Sequence, residues 1–335
     1  MNHQDTQWIN TARAVAVVAV IFLHITVPLV NQFDGASASW WAANIINGSA
    51  RFCVPVFLMI SGVLLLGKDY DLTSFLKKRV VRVVLPFLLW SVIYFLFKSD
   101  LTQDLKSILL QFIKAMKSGV EFHLWYVYMI LGVYLFVPII NRLTRTAPKK
   151  EIYYFLSIWL LITFIGLPGF NKLFTRIDFR YFSGFIGYLV LGYGLTKANI
   201  SENKRLFLLL LLAGNILTIV LSYFISASQG KFDGMFYHYL TPNVILSSVG
   251  LFLWIKNTTI HHPLVAKGIA VISKYSYGIY LSHIFSLGLM SQLGLTINFE
   301  NTILYVVTNS IICLLLSLLI TFLISKIPYG KYVSG

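Results

Sequence analysis

Carboxylates are scarce in this chain: of 335 residues only 12 are Asp or Glu, against 27 Lys and Arg. All twelve, at positions 5, 34, 69, 71, 100, 104, 121, 151, 178, 202, 233 and 300, fall between apolar runs or at their ends. Ion-coupled carriers commonly use an Asp or Glu at depth as the proton site, so its lack inside the runs argues against that class. Charged residues of both signs make up only 12% of the chain, about half the share in an ordinary soluble domain. Cysteine is nearly missing as well. Cys53 and Cys313 both sit in apolar runs, where a thiol behaves as a small buried hydrophobe, and this excludes a disulfide framework and a cysteine-ligated metal. There is no internal repeat, long linker or low-complexity tract to suggest a separate soluble module.

What is abundant is hydrocarbon. Hydrophobic residues make up 57% of the chain, in runs near 10–31, 42–66, 80–97, 123–141, 152–169, 181–197, 206–226, 241–256, 268–291 and 302–325. Runs of about 18 apolar residues need lipid as their solvent, so the expected fold is all-α, a polytopic transmembrane helix bundle of about ten spans. Residues 1–335 are expected to form a single membrane-embedded domain. No Lys or Arg stands in the opening dozen residues and no small-x-small cleavage site follows the first run, so that run is expected to be a retained span and not a signal peptide. The net charge of +15 is scattered over the short connections, which points to topology and not to nucleic acid. With a cytoplasmic N-terminus, 18 of the 27 Lys and Arg lie on that side. The other nine are Arg51, Lys98, Lys106, Lys114, Lys117, Lys172, Arg176, Arg180 and Lys231. The bias predicts both termini inside. Residues 104–117, DLKSILLQFIKAMK, have apolar residues at 105, 108, 109, 112, 113 and 116, the spacing of an amphipathic helix on the outer interface.

The polar residues inside the runs are few and specific. His24 follows Arg13 by eleven residues, which brings both to within roughly 20° of one helix face, about 16 Å apart along the axis. A buried histidine is either a satisfied core group or a working one, and at membrane depth the balance moves toward function. Arg79 and Arg82, in KKRVVR, stand three residues apart on neighbouring positions of one helix face. They are either ordinary basic flanks of a cytoplasmic helix end or a forked grip for phosphate. Arg51 sits just inside the non-cytoplasmic boundary, where Lys and Arg are otherwise depleted; it either snorkels to the interface or faces inward. It precedes FCVPVFLMISGVLL, in which Ser61 and Gly62 allow close helix approach. HLWY (123–126) opens the fourth run, and SYGIYLSHI (276–284) holds His283 well inside the ninth. Trp125 and Tyr126 alone read as interfacial belt, and Pro138, Pro168 and Pro242 as helix kinks or ends.

The Arg13-to-His24 spacing, FLMISG, the Arg-x-x-Arg of Arg79 and Arg82, HLWY and SYGIYLSHI resemble, in this order and through nearly the whole chain, the acyltransferase-three family of integral membrane acyltransferases. The resemblance implies an enzyme of the bacterial plasma (inner) membrane with no permanently bound cofactor and no metal. It would use acetyl-CoA as acyl donor, and the acceptor would be a sugar hydroxyl of a surface glycan or its lipid-linked precursor. Arg79 and Arg82 would hold the CoA phosphates, and the pantetheine arm would reach the catalytic His24, which would act as general base on the acceptor hydroxyl or accept the acyl group itself, with Arg13 orienting the donor. Arg51, His123 and His283 would stand on the acceptor or oxyanion side. One departure is visible: where the family commonly has Asp three residues before the arginine and Gly just after it, this chain has Asn10 and Ala14. A carboxylate partner for Arg13 must then come from elsewhere, Asp5 being one candidate. A rival class is a non-enzymatic carrier or export component for a glycan or lipid, whose arginines would grip the same phosphates. A scaffold is a third. Aromatic-rich spans are compatible with a homo-oligomer, but no GxxxG or heptad seam demands one.

Overall fold

The computed structural model describes residues 3–99, 102–165, 167, 184–200, 202–332 and 334. Among these residues every regular element is helical, as backbone groups inside lipid require when no barrel closes. Among the described residues seven stretches are long and apolar enough to cross a bilayer: Thr6–Asn31, Ala38–Leu65, Leu72–Lys98, Phe122–Thr146, Lys204–Gln229, Met235–Lys256 and Thr302–Lys326. Among their described residues the other three runs form helices as well. Two are α8 (Lys149–Ile165) and α9 (Ile186–Lys197); Pro168, Lys172, Arg176 and Arg180, which lie between them, fall outside the described residues. The ninth run is divided at Tyr275 into α12 (Pro263–Lys274) and α13 (Ser276–Gln292).

By internal packing the chain forms two compact units. The first comprises residues 1–68, 139–274 and 298–310. Its axis is α1 (His3–Asn31), which packs on α2 (Ala38–Ser49), α3 (Cys53–Leu65) and α12. The second run of the sequence becomes two helices because Pro55 has no N–H to continue the ladder across Ala50–Phe52. Helix α9 lies against α3 so closely that a methyl group on Gly62 would overlap the Leu189 backbone, and one on Gly192 the Met59 backbone. The close approach expected at Gly62 is therefore present, with Gly192 as its reciprocal. Helix α10 (Lys204–Gln229) runs along α11 (Pro242–Lys256) through the same device at Gly214 and Gly250.

The second unit comprises residues 69–138, 275–297 and 311–335. Helix α4 (Leu72–Arg79) passes through one π-helical turn, Val80–Val84, into α5 (Leu85–Lys98). Helix α5 packs on α13 and on α6 (Leu105–Ser118). Helix α6 is the amphipathic helix of the sequence, started by Asp104, whose carboxylate accepts from the Ser107 amide at 3.0 Å. Its apolar stripe is split: Phe112 turns in to meet Phe95, with ring centroids 5.2 Å apart, whereas Leu105, Leu109 and Ile113 stay exposed.

Candidate functional site

In the first unit, Arg13 and His24 lie on one unbroken helix, α1, and both are half-buried. Pro28 is inside the same helix, four residues after His24. It has no N–H to give the His24 carbonyl, so the ladder opens at the turn that carries the imidazole. Other groups hold that turn. The Thr26 hydroxyl donates to the carbonyls of Phe22 and Leu23 at 2.8 and 3.0 Å. The side-chain amide of Asn47, from α2, donates to the Leu23 carbonyl at 3.0 Å and to the Thr26 hydroxyl at 2.8 Å. Thr26 and Asn47 are fully buried, and such side-chain donors are how membrane helices accommodate proline.

Arg51 belongs to this network. It stands at the break between α2 and α3, donates to the Asn47 side-chain carbonyl, and lies over the Tyr237 ring, 4.2 Å from its centroid. A second ring, Tyr239, lies 6.0 Å away. The Tyr237 hydroxyl in turn donates to Asn44, whose amide reaches the Ile219 carbonyl at 3.3 Å. Of the two readings of Arg51, the inward one holds: the guanidinium is folded onto aromatic faces and an amide, and does not reach outward. On a helical wheel Thr26 stands about 160° from His24. The network therefore grips the back of the turn whose front carries the imidazole, and Arg51 is placed on that back.

An apolar cavity of about 550 Å³ opens beside α1, lined by Val15, Val18, Phe22, Ile45, Ile46 and Ile269 among others. Its α1 positions centre about 150° from the Arg13–His24 face, so this cavity does not lead to the imidazole. Asn10, which replaces the family's Asp, accepts from the Ser273 hydroxyl at 2.9 Å; it ties α1 to α12. Ala14 lines the apolar cavity. The side chain of Asp5 lies outside the described residues.

In the second unit, Arg79 and Arg82 occupy different settings. Arg79 ends α4, is half-buried, and lies 5.2 Å from the Phe75 ring centroid and 5.3 Å from that of Tyr134. Arg82 is exposed within the π-helical turn. The i→i+5 winding of that turn carries the two further apart round the axis than an α-helix does. Two neighbouring guanidiniums on one face, as α-helical spacing predicts, are thus replaced by one clamped and one open.

His123 and His283 come together from elements far apart in sequence. Both are buried, at 1% and 0% exposure, with ring centroids 5.0 Å apart at 81°. The Tyr280 hydroxyl donates to the His123 carbonyl, and His283 Nδ1 is 2.6 Å from the Tyr280 carbonyl, an arrangement in which that nitrogen carries the proton. Tyr94 closes the group at 5.2 Å from His123, its own hydroxyl donating to the Leu281 carbonyl at 2.8 Å. Behind His123, the buried carboxylate of Glu121 is paired with Lys98 at 2.5 Å.

The residues that the motifs did not single out are Pro28, Asn44, Asn47, Tyr237 and the aromatic partners of Arg79. A signal for two of them was present: Asn44, Asn47 and Arg51 recur at three and four residues through an apolar run, which puts three polar groups on one helix side. Among the described residues no cluster of His, Cys, Asp and Glu has the make-up of a metal site.

A family profile described as an acyltransferase domain matches residues 6–325. No curated protein and no solved structure matches the chain. The match takes in both units and every motif from Arg13 to SYGIYLSHI, and with it the chain belongs to the acyltransferase-three family.

Proposed function

We propose that this protein is a multi-pass bacterial inner-membrane O-acyltransferase that moves an acetyl group from acetyl-CoA to a sugar hydroxyl of a surface polysaccharide or its lipid-linked precursor. We take the whole chain as one acyltransferase domain of about ten spans with both termini cytoplasmic. In length and around HLWY and WIKNT it most resembles the enterobacterial common antigen O-acetyltransferase. The observation that carries the reading is the Arg13–His24 pair on one face of α1, with the helix opened at His24 by Pro28, inside a family match of nearly full length.

In the proposed step the neutral His24 imidazole takes the proton of the acceptor hydroxyl as its oxygen attacks the thioester carbonyl. The C–O bond forms, the C–S bond breaks, and the imidazolium returns the proton to the departing CoA thiolate. General-base catalysis of this kind contributes about 10²–10⁴-fold, with positioning adding more. Arg13 orients the donor, and Arg79 and Arg82 take the CoA phosphates. His283, with Nδ1 committed to the Tyr280 carbonyl, and His123 stand on the acceptor side. Arg51 supports the back of the His24 turn through Asn47 and does not touch the reacting atoms itself.

The test is binding and turnover of acetyl-CoA by the protein in nanodiscs. His24→Ala should keep insertion and donor binding and abolish transfer, and Arg79→Ala should weaken binding. Transfer by His24→Ala would remove the base from the mechanism. A folded protein that binds no acyl-CoA would hand the function to a glycan or lipid carrier.

A further inference from the structure

The surroundings of Arg79 contain two buried donors with no protein acceptor. Arg79 Nε and the Tyr70 hydroxyl are both closed off from solvent and have no hydrogen-bond partner among the described residues. An unanswered buried donor costs about 1–3 kcal/mol, so such atoms mark where a ligand acceptor belongs. The rings around them are ordered. Tyr70 stacks on Phe75 with centroids 4.8 Å apart at 17°, and Phe75 and Tyr134 both lie on the Arg79 guanidinium. The backbone turn beside them is the π-helical one, held by Tyr277, whose hydroxyl donates to the Val83 carbonyl at 2.9 Å.

The chemistry of the missing acceptor follows from the donors. Both give protons. Burial pushes the Tyr70 phenol up from its ordinary value and the Arg79 charge offsets this only in part, so the hydroxyl stays protonated. Lys77, Lys78 and Arg82 are exposed nearby in sequence, against Asp69 and Asp71, which leaves the stretch positive. A phosphate carries negative charge and offers several acceptor oxygens, so it can answer both donors at once.

We propose that the Tyr70 hydroxyl and the Arg79 guanidinium form one phosphate site for the acyl donor, with Phe75 and Tyr134 clamping the guanidinium in its binding position. This rests on the acyl-CoA reading above and adds to it a binding residue, Tyr70, outside the arginine motif. Arg82, exposed in the π-helical turn, stands outside this fixed pair and is open to another phosphate of the donor.

The experiment compares wild type with Tyr70→Phe in nanodiscs, using acetyl-CoA and inorganic pyrophosphate as separate probes. The variant keeps the ring and its stack on Phe75 and removes an unanswered buried donor, so its ligand-free melting point should equal or exceed that of wild type. Loss of one hydrogen bond to a charged group should weaken binding of both probes by about tenfold, raising KM for acetyl-CoA and leaving kcat unchanged. Unchanged affinity for both probes would overturn the inference and spare the acyl-CoA reading. Pyrophosphate binding that depends on Tyr70, with no acetyl-CoA binding by wild type, would keep the phosphate site and sink the acyl-CoA reading. Binding of neither probe would sink both.

Discussion

Asn47→Ala should loosen the turn that presents His24. Asn47 is fully buried and makes three side-chain contacts: to the Leu23 carbonyl, to the Thr26 hydroxyl and from Arg51. Hydrogen bonds inside membrane proteins average about 0.6 kcal/mol each, so their loss sums to about 2 kcal/mol, on the order of a 30-fold change in the folded ratio. The same change leaves an Arg51 N–H without its acceptor. Arg51→Met in the Asn47→Ala background should therefore recover about 1 kcal/mol relative to the sum of the single changes. Function should suffer separately, because a misplacement of about 1 Å at a reacting group can lower the rate by about 10²-fold. Turnover is expected to drop at least tenfold with acetyl-CoA affinity unaltered, since the variant leaves Arg79 and Tyr70 alone. Denaturant unfolding in detergent measures the first effect and transfer kinetics at saturating donor the second. Additive stabilities for Asn47→Ala and Arg51→Met would refute the network; a destabilised variant with full turnover would reduce Asn47 to packing.

Two further outcomes follow from the helix contacts. Gly62→Ala places a methyl on the Leu189 carbonyl and should destabilise by about 1–3 kcal/mol or prevent accumulation of folded protein. Gly132→Ala, with nothing within 4 Å of the added carbon, should be neutral when both variants are compared by denaturant unfolding in detergent; equal behaviour of the two would contradict the α3–α9 contact. At the start of α6, the Ser107 hydroxyl and amide hold the Asp104 carboxyl below its ordinary value of 3.8. A lowered folded value means the cap is fully present above the unfolded value and is lost as pH falls through the folded one. Hydrogen-exchange protection factors in α6, corrected for the intrinsic pH dependence of exchange, should thus be flat from pH 7 to 5 and fall only under strong acid, and Asp104→Asn should remove that acid dependence. Fraying that begins near pH 6 would disprove the assignment.

Much of the chain is legible from its residues because lipid imposes a simple rule. Apolar runs of bilayer length have to become helices, since no water is present to satisfy the backbone. The eleven-residue spacing of Arg13 and His24 fixes their common face by helix geometry alone, and the amphipathic stretch 104–117 became α6 for the same reason.

Other features needed the tertiary structure, because they depend on which surfaces meet. Arg51 could reach out or fold in; the Tyr237 ring and Asn47 decide it, and Tyr237 is distant in sequence. His123 and His283 become neighbours only through the packing of residues 160 positions apart. Arg79 and Arg82 look equivalent on an α-helical wheel, but a single π-helical turn and two aromatic rings make one clamped and one open. Periodicity sets what one helix shows to its surroundings; it cannot say what stands opposite, and the difference between a charge that is buffered and one that is ready for a ligand lies there.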